Sequence, residues 1–166
     1  KFFCKIKVTI SERSNPLIYK YGIRGQIRKI LYRFANRLVV QTEFIKQYYS
    51  KYVPKSKIQV INNPIKIINN NDFKKEKIIL NVGRLDSNKN QKQLITSFHR
   101  ANNMNWKLII CGEGPLRNEL ENLILQLKLS EHVFLKGNVQ NVNDYYSNAS
   151  IFALTSFSEG FPNVVL

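Results

Sequence analysis

From Lys77 onward, continuous apolar runs alternate with stretches whose apolar residues recur at helical spacing. KIILNVG (77–83), KLIICG (107–112), VFLKG (133–137) and SIFALTS (150–156) read as strands. Between them NQKQLITSFHRA (90–101) brings Leu94, Ile95 and Phe98 to one helical face, LRNELENLILQLKL (116–129) is amphipathic, and VNDYYSNA (142–149) predicts a short helix. Strands that are apolar throughout, separated by amphipathic helices, predict a parallel sheet covered on both faces. That is half of a Rossmann-like, doubly wound α/β architecture.

The upstream part carries a shorter version of the same alternation. KIKVTIS (5–11), RLVVQT (37–42) and KIQVINN (57–63) read as strands, with helices expected over RGQIRKILYRFAN (24–36) and EFIKQYYSKY (43–52). The segment NNPIKIINNNDFKKEK joins the two parts; rich in Asn and Lys, with Pro64 near its start and a polar tip at Asn69–Asn71, it reads as a crossover. The expected division is therefore 1–61, the end of a first α/β domain; 62–76, the crossover; and 77–166, a second domain.

With 166 residues, 43% of them hydrophobic, the chain can bury a core. No apolar run approaches the roughly 20 residues that span a bilayer, and the first residues do not resemble a secretion signal, so a cytoplasmic setting is expected. Cys4 and Cys111 sit inside apolar runs and read as buried free thiols, and the two cysteines and two histidines form no metal-ligand spacing. His99 and His132 read as surface or helix-end residues. The net charge is +15, and it is uneven: 14 Lys/Arg against Glu12 and Glu43 up to Ile61, then 12 against nine acids. Such a first third suits an anionic partner, either nucleic acid or an anionic membrane leaflet and its lipid-linked substrates, or it serves solubility alone.

In an open parallel sheet ligands bind beyond the carboxyl ends of the strands, which directs attention to four loops. Gly83-Arg84-Leu85-Asp86-Ser87-Asn88-Lys89 places two cations on one loop beside a glycine, a means of holding a diphosphate. Gly112-Glu113-Gly114-Pro115 turns tightly into a helix whose first amides would face the ligand edge, although it lacks the third glycine of a dinucleotide fingerprint. Asn138 and Val139 offer backbone groups to a nucleobase. Glu159 precedes Gly160-Phe161-Pro162-Asn163, a turn into an expected helix, and its carboxylate can accept hydrogen bonds from sugar hydroxyls. Taken singly, each loop also reads as an ordinary turn with solvated charges.

NVGRLDSNKN, CGEGP, VFLKGNV and SFSEGFPNVVL, in this order and spacing, resemble the nucleotide-binding half of the retaining glycosyltransferases of family 4, also called group 1, with the GT-B fold. The segment from ISERSNP to IQVINNPI is similar to the end of that family's acceptor domain. The resemblance implies that Arg84 and Lys89 act catalytically by holding the donor diphosphate beside Gly83, Gly112 and Gly114, and that the backbone at Val139 meets the base. Glu159, the third residue to which the resemblance gives a catalytic role, corresponds to the first glutamate of the family's E-x7-E motif and would reach the donor sugar, with Gly160, Phe161, Asn163 and Val164 close to sugar and phosphate. The second glutamate would fall directly after Leu166, so the resemblance implies a fragment incomplete at both ends and inactive alone. It further implies a nucleotide-diphosphate sugar donor, UDP before GDP, with no metal or other cofactor. The acceptor would be a saccharide or lipid-linked hydroxyl, in polysaccharide or lipopolysaccharide assembly at the cytoplasmic face of the inner membrane. Peripheral contact with anionic lipid through the basic first part is expected, and nucleic acid is not. A nucleotide-sugar epimerase of the same fold and a basic nucleic-acid-binding module are the alternatives.

Overall fold

The computed structural model describes residues 6–64, 75–102 and 104–165. The expectations for Cys4, for the Asn69–Asn71 tip and for most of the crossover therefore lie outside the described residues. Contacts gather into two compact units: residues up to 64 together with 158–164, and residues 75–157 together with Val165.

In the first unit, β1 (Thr9–Glu12), β2 (Arg37–Val40) and β3 (Ile58–Val60) form a parallel sheet in that order. Helices α1 (Ile23–Leu31) and α2 (Glu43–Tyr49) fill the crossovers. The side chain of Thr42 caps α2 by accepting from the Ile45 amide, leaving Ile45 and Tyr49 to pack on Leu38, Val40, Val53 and Ile58. The structure corrects two expectations here. The first strand starts only at Thr9: the Val8 amide donates to the Asn36 side chain (3.0 Å), at the end of the crossover that follows β1, instead of to a strand partner. The helix that follows starts at Ile23 and ends at Leu31, its continuation tightening into a 3-10 turn at Tyr32–Phe34.

In the second unit, β4 (Glu76–Val82), β5 (Lys107–Cys111), β6 (Val133–Gly137) and β7 (Ala149–Phe152) pair in parallel in the order β6-β5-β4-β7. The chain moves outward through α3 (Gln91–Ala101) and α4 (Arg117–Gln126), then returns through α5 (Val142–Asn148) to the far side of β4. Successive residues of β5 point to opposite faces, and each face has its own core. Leu108 and Ile110 meet Leu94, Ile95, Phe98, Leu120 and Ile124 from α3 and α4. Ile109 and Cys111 meet Ile78, Leu80, Ala149 and the α5 tyrosines. The doubly wound α/β sheet expected from the sequence is present, with helices on both faces. The strand order reverses at β4, so the carboxyl ends of β4 and its neighbours form a topological switch point, where such sheets bind ligands.

Candidate functional site

A cleft of roughly 610 Å³ opens at the carboxyl ends of β4, β5 and β6. Val82, Gly83 and Arg84 line it after β4, Cys111, Gly112 and Glu113 after β5, and Gly137, Asn138 and Val139 after β6. Backbone bonds tie the three loops together. The Gly83 amide donates to the Cys111 carbonyl (2.9 Å), the Gly112 amide to the Gly137 carbonyl (2.8 Å), and the Leu85 amide to the Glu113 carbonyl (2.9 Å). Glycine is required at position 112: φ is +143°, and a Cβ would overlap the Gly83 carbonyl oxygen. Gly114 packs under the backbone of Leu85 and does not line the cleft. Pro115 lies in the turn before α4, two residues ahead of its first residue, and not at the first helical position as expected.

The loop after β4 is held from several directions. Gln91, 1% exposed, donates from Nε2 to the Arg84 carbonyl (3.0 Å); the Lys89 amide donates to Asp86 Oδ1 (3.1 Å); and Thr155, beyond β7, donates to the Lys89 carbonyl (2.9 Å). The Lys89 stem lies over Gly83, 3.4 Å from where a Cβ would stand. The Arg84 side chain is 70% exposed, with Asp86 Oδ2 3.9 Å from Nε, so an anion entering the cleft competes with only a loose, solvated pair. Gly83, Arg84, Lys89, Gly112 and Val139 are thus gathered within one unit.

Two residues that sequence reasoning missed shape the cleft's electrostatics. Glu113 faces the cleft, and its carboxylate would repel a diphosphate. Arg117, one helical turn on, pairs with it and with Glu121 (2.8 Å from Nε), and its Nη2 donates to the Leu135 carbonyl (3.4 Å). The i, i+4 spacing of Glu113, Arg117 and Glu121 was the available signal. Cys111 is buried at the cleft floor, and burial, only partly offset by nearby Lys136, pushes its thiol up to about 11. It is an apolar wall at neutral pH, as expected of a free buried thiol.

Glu159, Gly160, Phe161, Asn163 and Val164 group with the first unit. The expected helix after Pro162 is a 3-10 turn at Asn163–Val165. Gly160 rests on the Arg13 carbonyl, where a Cβ would overlap it; Asn15 Nδ2 donates to Ser158 Oγ (3.0 Å), and Asn63 Nδ2 donates to Asn163 Oδ1. Among the described residues, no group of three or more His, Cys, Asp or Glu converges as a metal site, and no helix is long and apolar enough to cross a membrane.

Residues 63–166 match the family described as glycosyl transferases group 1. The whole chain is 34% identical to a Campylobacter jejuni protein, GalNAc-alpha-(1->4)-GalNAc-alpha-(1->3)-diNAcBac-PP-undecaprenol alpha-1,4-N-acetyl-D-galactosaminyltransferase, and covers 47% of it. It is also 34% identical to the uncharacterized glycosyltransferase MJ1059 of Methanocaldococcus jannaschii, over 93% of this chain and 43% of that protein. The chain spans less than half the length of these relatives. Among solved structures, Anabaena Alr3699/HepE in complex with UDP matches with a TM-score of 0.78 over 99% of this chain and 51% of that one, at 17% identity, which is a likeness of fold.

Proposed function

Because the chain belongs to the glycosyl transferases of group 1, we propose that it forms part of an enzyme that moves a sugar from a nucleotide-diphosphate donor to an acceptor hydroxyl with retention. The observation that carries this reading is the glycine-floored cleft with Arg84 at its edge and the Lys89 stem laid over Gly83. When the sugar–phosphate bond breaks, negative charge builds on the departing diphosphate. Arg84 supplies a forked donor and Lys89 a mobile cation to stabilise that charge, with no metal required by the reading. The backbone at Val139 takes the base, UDP before GDP, and Glu159 accepts hydrogen bonds from sugar hydroxyls. That a structural neighbour holds UDP supports this choice of base.

The Campylobacter relative's name carries an undecaprenol diphosphate-linked saccharide and an alpha linkage. The first favours a lipid-linked saccharide as acceptor, in cell-surface polysaccharide assembly, and the second is the product that retention gives from an alpha-linked nucleotide sugar. Helix α1 supports work at a membrane surface. Ile23, Ile27 and Ile30 are exposed among Lys20, Arg24 and Lys29, the composition of a helix that lies in an anionic interface. The test is transfer by the intact protein from a UDP-sugar to a polyprenyl diphosphate-linked saccharide, with the new linkage read by NMR. An alpha product lost in Arg84→Ala is expected. An inverted product, or undiminished turnover in Arg84→Ala, would overturn the assignment.

A further inference from the structure

Glu12, at the end of β1, is 4% exposed, yet it is a carboxylate. Five donors surround it: the Ser14 amide (2.9 Å), the Ser14 hydroxyl, Arg28 Nη1 (3.1 Å), the Tyr32 hydroxyl (2.7 Å) and the Tyr49 hydroxyl (3.2 Å). Burying a charge costs more than burying an apolar side chain of similar size, so stability alone gives no reason for a carboxylate here. What it does that an apolar residue could not is draw two donors of Ser14, from the loop outside the sheet, onto groups anchored in α1 and α2. Arg28 Nη1 also donates to Ser14 Oγ (3.0 Å), so the turn after β1 is fixed at its second residue.

The turn fixed in this way meets the loop of Ser158 to Gly160. The Arg13 carbonyl lies where a Gly160 side chain would be. Asn15 serves both sides: its Oδ1 accepts from the Leu17 amide (3.0 Å), closing the 3-10 turn at Pro16–Tyr19, and its Nδ2 donates to Ser158 Oγ (3.0 Å).

We propose that Glu12 is a positioning residue for donor-sugar engagement, holding Arg13–Asn15 as the seat that sets the conformation of the Ser158–Gly160 loop and so the placement of Glu159. This rests on the sugar-binding role proposed above for Glu159. Glu12 touches no substrate; it acts through Ser14 and Asn15.

The experiment uses the intact protein with Glu12→Gln and Asn15→Ala, the latter leaving the carboxylate and its donors in place. Misplacing a group by about 1 Å can cost up to roughly a hundredfold in rate. Both variants are expected to lose about ten- to a hundredfold in kcat/KM for the UDP-sugar while UDP alone binds within about twofold of wild type. Hydrogen exchange of the Ser158–Gly160 amides, which needs no turnover, should accelerate in both. Wild-type kcat/KM or unchanged exchange in Asn15→Ala overturns the proposal. So does a loss of UDP affinity as large as the loss in kcat/KM, which would mark general destabilisation. If the wild-type protein neither binds UDP nor transfers sugar, the donor reading fails, and the exchange data still decide whether the seat exists.

Discussion

At Gly112 the backbone conformation and a close approach coincide: φ is in a region L side chains rarely adopt, and the space for a Cβ is taken by the Gly83 carbonyl. Conformational strain of this kind costs about 1–3 kcal/mol before any clash is counted. Gly112→Ala is therefore expected to lower the melting temperature and to weaken UDP binding together, since relief requires the Gly83–Arg84 backbone to move. Calorimetry on the variant checks it, and unchanged values of both would remove the cleft floor from the account. Gly83, Arg84 and Lys89 were legible in the sequence because glycine and cations after an apolar run are local signals. Gln91 was not, and of Arg117 only its i, i+4 spacing from Glu113 and Glu121 could be read. Their roles, holding the Arg84 carbonyl and drawing Glu113 aside, depend on which backbone and which carboxylate the fold delivers to them.

Among the elements, the strands and helices of the second unit were readable because both faces of its sheet are buried, so apolar runs mark strands and Leu94, Ile95 and Phe98 mark a helix face. The first unit misled at β1. Ile6 and Val8 look like strand residues, but both are exposed, and the Val8 backbone bonds to the turn at Asn36. The polar linkage of β1 to α1 and α2 through Glu12 had no sequence signal, since its partners lie up to 37 positions away. It makes a prediction in pH. Burial alone would raise the Glu12 pKa, but hydrogen bonds from Ser14 and Tyr32 and the Arg28 charge outweigh it and hold the carboxyl below its ordinary 4.5. Its contribution to stability is thus present above pH 4.5 and is lost as pH falls through the lower folded value. Burial first, then Glu12, raises the Tyr32 and Tyr49 pKa values, so their contribution is full below about pH 10 and declines as pH climbs past it. A series of melts should show both limbs, and Glu12→Gln should flatten the acid one. An acid limb identical in the variant would contradict the linkage.

For the whole molecule, the +15 charge is concentrated before Ile61, where α1 also leaves apolar residues exposed. The intact protein is expected to sediment with vesicles containing anionic lipid at low salt, to release as salt rises, and to ignore neutral vesicles. Equal binding to both would return the charge to solubility. A nucleotide-diphosphate site at the carboxyl edge of β4, β5 and β6 is open to titration of UDP, then GDP, into the intact protein in a calorimeter, with Arg84→Ala alongside. Saturable binding of UDP in preference to GDP is expected, weakened at least about tenfold by the loss of one charge-assisted pair. Binding of neither nucleotide, or equal affinity in Arg84→Ala, would contradict it.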